Sequence, residues 1–321
     1  MQAHQVFIGV DVAKATLSSC ILGSPSPAAM SNDESSISQW LARLPSQAVI
    51  AVESTGRYHQ LLVRLAYASG RHVFVLNARD VYFYAKALGA RGKTDRTDAQ
   101  IIARYLAEHH DSLKPWLPGT AVQQRLQELL RCRAGVATKR MSLRQVLRGV
   151  GELQVAVLPL EQQFDALLSY IDGQIAALVA ADAQLSQGCA ALRTITGIGA
   201  QGSAMLGALL SRVAFANADA LVAYSGLDPR PNDSGAKTGR RRISKRGSPD
   251  LRRQLYLAAF SAAHSKALGP LYRSIKAKGF KPTQALVILA RKLLRVAWAV
   301  WHSGKPFDPS LVGASLTCTK T

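Results

Sequence analysis

Apolar positions fall at two different spacings along the chain, and the spacing changes once. Near the start, VFIGVDVAK (6–14) is a short β-branched run that predicts a strand ending near Asp11. ATLSSCIL (15–22) predicts a second strand, with GSPSP (23–27) as the turn after it. SSISQWLARL (35–44) sets Ile37, Trp40, Leu41 and Leu44 at helical spacing, with Ser35 or Ser36 as its cap. AVIAVEST (48–55) predicts a buried strand ending at Glu53, and YHQLLVRLAYASG (58–70) an amphipathic helix stopped by Gly70. HVFVLN (72–77) reads as a strand, VYFYAKALG (81–89) and DAQIIARYLAEH (98–109) as helices. Strands alternating with helices predict an α/β domain over residues 1–115, with a mainly parallel sheet and an early antiparallel hairpin.

From about residue 120 the pattern is helical without strands. Residues 121–157 read as one long helix broken by Pro159. Phe164, Leu168, Ile171, Ile175, Leu178, Asp182 and Leu185 then recur at alternating steps of four and three, a heptad seam with one polar interruption. An antiparallel coiled-coil hairpin over 116–190, packed internally or against another protomer, is the expected arrangement. In the last segment, 191–321, TITGIG (194–199) lies between two helical patterns. It fits a helix–hairpin–helix, whose glycine turn (Gly197, Gly199) offers backbone N–H groups to a phosphate, or an ordinary inter-helix turn, and the basic surroundings favour phosphate binding. DALVAYSGLDP (219–229) predicts a helix ending at Gly226, and PNDSGAKTGRRRISKRGSPD (231–250) an exposed loop or irregular hairpin. LRRQLYLAAFSAAHS (251–265) and TQALVILARKLLRVAWAVW (283–301) are helical patterns, and the tail after Pro306 reads as loose. The fold class is therefore α/β followed by all-α.

Charge sharpens this picture. The net charge is +20, and its distribution is uneven. Residues 1–115 hold 12 Lys/Arg against 9 Asp/Glu, 116–190 hold 7 against 6, and 191–321 hold 21 against 5. A cationic surplus confined to the last third is the footprint of polyanion binding, which makes nucleic acid the expected partner. No apolar run approaches the length of a membrane span, and MQAHQVFIGVDVAK lacks the layout of a signal peptide, so no membrane partner is expected. Cys20, Cys132, Cys189 and Cys318 are widely separated and form no CxxC or Cys/His cluster; a reducing cytoplasm fits them best.

Four carboxylates are the candidate chemistry. Asp11 and Glu53 each close an apolar strand, and RGKTDRTDAQ (91–100) sets Asp95 and Asp98 three apart at a helix start. Alone, that last pair is explained by the helix dipole; as an i, i+3 pair it also lies on one face and suits a metal. Strand ends of a parallel sheet converge on one edge, and a carboxylate ending an apolar strand needs a cationic partner. Mg²⁺ takes oxygen ligands, and two such ions clamp both sides of a phosphodiester. The order strand, strand, helix pair is that of a ribonuclease-H-like nuclease domain. His59, His72, His109, His110, His264 and His302 are scattered, with His109-His110 reading as a helix C-cap. Tyr58, Tyr224, Trp298 and Trp301 fit helix packing, and no Arg–His–Arg–Tyr set supports a tyrosine recombinase.

IGVDVAK, AVESTGRY, GKTDRTDA, TITGIG and RRRISKRGSPDLRRQLY, in that order, resemble the DEDD-type insertion-sequence transposases related to Piv invertases. The resemblance spans nearly the whole chain; VEST, with Ser54, stands where many members have an EAT-type version. It implies a RuvC-like DEDD domain, a coiled-coil linker and a transposase domain. It also implies donor and target DNA as substrates, a structured bridge (or seeker) RNA as guide, and a homo-oligomer from dimer to tetramer. It further implies a nucleophilic serine in a motif like R-x-S-K-x-G, here Ser244, acting in a composite site with the carboxylates of another subunit. Without the resemblance, Ser244 is a generic loop residue; Ser225, Ser234 and Ser248 are its controls. Arg241, Arg242, Lys245 and Arg246 are placed to neutralise a phosphate, and Arg240, Arg252 and Arg253 extend that basic set. No proton acceptor for Ser244 is evident in the local sequence. Two other readings use the same features: a Holliday-junction-type metal nuclease with no covalent intermediate, and a non-catalytic nucleic-acid-binding assembly protein.

Overall fold

The structure, a computed structural model, describes residues 5–24, 27–54, 56–89, 95–231, 233–234, 239 and 241–309, and every side chain among them except those at 95, 96 and 154. The chain divides into two units, Met1–Pro118 and Gly119–Thr321.

The first unit is built on a five-stranded sheet in the order β3-β2-β1-β4-β5. β1 (Val6–Val12) and β2 (Thr16–Ile21) pair antiparallel, as do β2 and β3 (Ala28–Ser31). β4 (Ala48–Glu53) joins β1 in parallel, and β5 (His72–Leu76) joins β4 in parallel. Three antiparallel strands followed by two parallel ones make this the ribonuclease-H-like arrangement that the sequence predicts. Strand alternation divides the apolar residues between two faces. Ile8, Val10, Val12, Ile50 and Val52 meet α1 (Glu34–Arg43) and α2 (Gln60–Ala68) through Ile37, Leu41, Leu62 and Val63. Phe7, Val49, Ala51 and Phe74 meet α3 (Ala78–Ala87) and α4 (Asp95–His109) through Val81, Ile102 and Leu106. One local expectation needs correcting, and one strand is new. The cap of α1 is Asp33, whose carboxylate accepts from the Ser36 N–H at 2.8 Å, because an ionised acceptor at a helix start outcompetes a hydroxyl. The strand β3, only four residues long, carries too short a run to show a period.

The second unit opens with α5 (Ala121–Val146), started by a Thr120/Gln123 capping box. Gly149, at φ +91°, lies in the break after α5. α6 (Gln154–Ala180) begins before Pro159 and contains it, so the proline does not end the preceding helix. The heptad seam also ends sooner than expected: Asp182 caps a new helix, α7 (Ala183–Arg193), by accepting from the Leu185 N–H, and the chain bends by 117° there. α5 and α6 do pair internally as an antiparallel hairpin. Arg133–Asp172, Arg140–Asp165 and Arg144–Glu161 bridge them. Each step of seven or four forward along α5 is matched by an equal step back along α6. The nearly cancelling charges of this segment therefore pair across the hairpin. Such half-exposed pairs contribute roughly 0.2–1 kcal/mol each, so their main effect is on register.

Beyond the hairpin, α8 (Ala200–Leu210), α9 (Ala218–Ser225), α10 (Pro249–Ala263) and α11 (Gly269–Ala277) surround α12 (Pro282–Ser303). Leu286, Leu289, Leu293, Leu294, Ala297 and Val300 of α12 form the spine of that core. Trp301 fills the space beside Gly188, as its expected packing role requires. The tail beyond residue 309 lies outside the described residues.

Candidate active site

The register of the sheet decides which carboxylates meet. Val10 stands opposite Val52 in the parallel β1–β4 ladder, so Asp11 and Glu53 are level one step further on. Asp11 shares a face with Phe7 and Gly9, and Glu53 shares it with Val49 and Ala51; this is the face that α4 covers. The direction of α4 follows from two contacts. The Phe7 ring lies edge-on to His110, just past the helix, with ring centroids 5.1 Å apart. A Cβ at Gly9 would stand 2.2 Å from the Ala99 carbonyl oxygen and 2.3 Å from the Ala103 nitrogen. Helix numbering therefore rises toward the start of β1, and the first turn of α4 lies over the strand end that carries Asp11. Asp98 belongs to that turn and is half-buried, as are Asp11 and Glu53. The Asp95 backbone begins α4, while its side chain is outside the described set.

Among the described residues no three His, Cys, Asp or Glu side chains are already gathered into a metal-binding group. What the backbone supplies is two carboxylates side by side on one sheet face beneath a helix N-terminus. Both donors are carboxylate oxygens, the kind that suits a hard divalent ion.

The serine lies in the second unit, in a tight crossing of backbone segments. α9 ends at Gly226 in the left-handed conformation, φ +72°. β6 (Pro229–Arg230) then pairs antiparallel with β7 (Arg242–Ile243). A Cβ on Gly247 would lie 2.0 Å from the Tyr224 carbonyl oxygen, so only glycine permits this approach. Lys245 has a positive φ of 56°, alone among the described non-glycine residues, and its N–H donates to the Gly226 carbonyl at 2.9 Å. Ser244 is 1% exposed. Its N–H donates to the Asp228 carbonyl at 2.9 Å, and its hydroxyl donates to the Asp228 carboxylate. The controls differ: the Ser225 hydroxyl donates to the Val222 carbonyl, and Ser248 caps α10. Asp228 stands 16 positions earlier, outside the local sequence, and strand pairing brings its carboxylate beside Ser244.

The basic residues around Ser244 have different surroundings. Arg241, Arg242, Lys245, Arg246 and Arg253 are exposed, and Arg240 lies outside the described residues. Arg241 pairs with Asp233 and holds its carboxyl below the usual carboxylate range. Arg252 donates to the Ser225 and Gly247 carbonyls, bracing the crossing, and burial lowers its pKa. The two glycines of the α7–α8 turn also separate. Gly197, φ +96°, is pressed against α10, where a Cβ would stand 2.3 Å from the Ala258 carbonyl oxygen. Gly199 faces open space at the start of α8. Tyr58 and Tyr224, expected to pack, are 38% and 43% exposed, and Tyr224 sets its ring edge-on to Phe215.

Comparison with known proteins gives these features a context. Residues 8–151 match the DEDD transposase family of IS110, described as "Transposase", and residues 189–273 match the "Transposase IS116/IS110/IS902 family". The chain belongs to this IS110/IS116 family of DEDD transposases and is a DNA-cleaving, strand-transferring enzyme. It is similar to the "Pilin gene-inverting protein" of Moraxella bovis, 27% identical over 95% of this chain and 98% of that protein. It is similar also to the "Insertion element IS900 uncharacterized 42 kDa protein" of Mycobacterium paratuberculosis, 24% identical over 98% of this chain and 100% of that protein. A solved structure, "T. thermophilus RuvC in complex with Holliday junction substrate", aligns over 35% of this chain and 100% of its own, at 15% identity and a TM-score of 0.27.

Proposed function

We propose that this transposase cuts and exchanges strands of donor and target DNA through a phosphoserine at Ser244, with Mg²⁺ at the carboxylates and an element-encoded RNA as guide. The observation that carries the reading is the register that sets Asp11 and Glu53 level, on one face, under the first turn of α4. Asp11, Glu53, Asp95 and Asp98 are the residues that would hold the metal. When bound, it would offset negative charge on the scissile phosphate and on the departing oxygen. The chain's own exposed cations, Arg241, Arg242, Lys245 and Arg246, bring the DNA backbone to Ser244. The named activity of the pilin gene-inverting relatives supports strand exchange over simple hydrolysis.

The carboxylates and the serine belong to different units of the chain, and in this proposal one subunit supplies the carboxylates and another the serine. Exposed apolar side chains near the hairpin tip support assembly: Val146, Val155 and Leu158 are 76%, 84% and 60% exposed. The test is a mixing experiment. Ser244→Ala and Asp11→Asn are each expected to be inactive and folded, while mixed oligomers regain part of the strand exchange. Absence of complementation, with both proteins folded and co-assembled, argues for a site within one chain. Guidance is tested separately. A cationic surplus of 16 in residues 191–321 supports RNA binding that weakens steeply with salt. Target choice that survives ribonuclease treatment and repurification defeats the guide.

A further inference from the structure

We propose that Asp228 is the general base for Ser244, accepting the hydroxyl proton as the serine attacks the scissile phosphate. This inference rests on Ser244 being the nucleophile. A serine hydroxyl is a weak nucleophile unless a base stands within hydrogen-bond reach. Among Ser225, Ser244 and Ser248, Ser244 directs its hydroxyl to a carboxylate, whereas the Ser225 hydroxyl donates to a backbone carbonyl that cannot take a proton.

The arrangement is built into the backbone. Pro229 stands opposite Ile243, so Asp228 and Ser244 are level across the same antiparallel pair, one step further on. The Ser244 N–H to Asp228 carbonyl bond fixes the two Cα positions, and the side-chain bond then closes on the same pair. The Arg246 N–H approaches the same Oγ at 3.5 Å. Uncovering Ser244 for a phosphate leaves Asp228 beside it, because the two ride on neighbouring strands.

A cation stands in the same field. Burial, and after it Arg295, lower the pKa of Arg291 on α12, while Asp219 and Asp228 act in the opposite direction. Its buried Nε–H has no partner. A half-buried guanidinium with an uncommitted donor is costly.

The step balances without a co-reactant other than water. The Oγ–P bond forms and the bond from phosphorus to one sugar oxygen breaks. The hydroxyl proton passes to the Asp228 carboxylate, and the departing oxygen takes a proton from water. Asp228 later returns its proton to water or, when the strand rejoins, to Oγ.

The experiment measures single-turnover formation of the covalent protein–DNA adduct on denaturing gels. It uses the full chain with its RNA and a duplex carrying one end of the element. Asp228→Asn keeps an acceptor for the hydrogen bond but cannot take the proton. It is expected to slow the adduct by about 100-fold, the lower end of general-base contributions, with unchanged melting temperature and DNA binding. Asp228→Ala is expected to recover part of its rate in formate but not in chloride at equal ionic strength, a response that a merely structural role does not give. Asp228→Asn within threefold of wild type overturns the proposal, and so does a folded Asp228→Ala that gains nothing from formate. If Asp228→Asn does not fold, the formate arm decides alone. Ser244→Ala run in parallel separates the two ideas: an adduct that persists there removes the serine reading itself. Loss in Ser244→Ala beside normal rates in Asp228→Asn removes only the base.

Discussion

Replacing Gly9 by alanine tests the joint between the sheet and the carboxylates in one step. The added Cβ would stand 2.2 Å from the Ala99 carbonyl oxygen and 2.3 Å from the Ala103 nitrogen, where ordinary contact begins near 3.4 Å. Both obstacles are backbone, so no side chain can rotate away. α4 must withdraw by roughly 1 Å, and overpacking of this kind costs about 1–3 kcal/mol. At roughly 4 °C per kcal/mol for a unit of this size, the first unit should melt about 4–12 °C lower. The same withdrawal moves Asp98 away from Asp11 and Glu53, and a displacement of that size lowers a positioned reaction on the order of 100-fold. Calorimetry and metal-dependent strand cleavage, both measured well below the melting point, read the two effects. Gly173→Ala is the control: nothing lies within 4 Å of its would-be Cβ in the exposed middle of α6, so it should stabilise by about 0.5–1 kcal/mol. A Gly9→Ala protein with wild-type melting and cleavage refutes the packing of α4 on β1 and, with it, the convergence of the acids. Lowered melting with unchanged cleavage removes only the link to catalysis.

Three further outcomes are expected. Gly197→Ala should destabilise the second unit by about 1–3 kcal/mol through its clash with α10, while Gly199→Ala should leave melting nearly unchanged; equal effects in thermal melts contradict the separation of their roles. A thiol reagent under native conditions should label exposed Cys132 quickly and leave Cys20 and Cys189 protected, since both are buried and burial pushes the Cys189 thiol up to about 11; mass-mapped labelling of Cys189 at the rate of Cys132 contradicts the core around it. Asp33→Ala should cost about 1 kcal/mol by removing the cap of α1, while Ser35→Ala should cost little, as chemical denaturation would register.

Most of the first unit is legible in the sequence because its central strands β1 and β4 are largely buried and its helices are amphipathic, so period and apolarity agree. The errors occur where local signals conflict. Pro159 reads as a breaker, yet the chain has already turned at the glycines 149 and 151, and the proline sits early in a new helix. Asp182 reads as a polar residue in a continuing heptad, but an aspartate followed three residues later by a buried leucine is also the start of a helix. The 117° bend shows which reading the packing favours. Periodicity continues across such a break because both helices bury one stripe, and period alone cannot register a change of axis. The Arg/Asp/Glu ladder between α5 and α6 was open to the same treatment: its steps of seven and four match in reverse order, which an antiparallel pair requires.

The site divides along a different line. Asp11 and Glu53 are identifiable because each ends an apolar strand, where a charge has no packing reason to be. That their side chains share a face follows only from the β1–β4 register, which the residue types do not state. Asp228 is the opposite case. It stands two residues after the helix-ending Gly226 and directly before Pro229, a setting in which an aspartate needs no function to be explained. Its meaning comes from a two-residue ladder whose other strand lies beyond a polar, glycine-rich segment. Motif reading works on contiguous residues, whereas a base and its nucleophile need only be neighbours in space. Gly247 lets β7 lie against the end of α9, the helix that leads into Asp228, since any side chain there would meet the Tyr224 carbonyl oxygen. Gly247→Ala should therefore lower adduct formation even though it removes no reactive group, and a variant that folds and reacts normally would show that the crossing does not position Ser244.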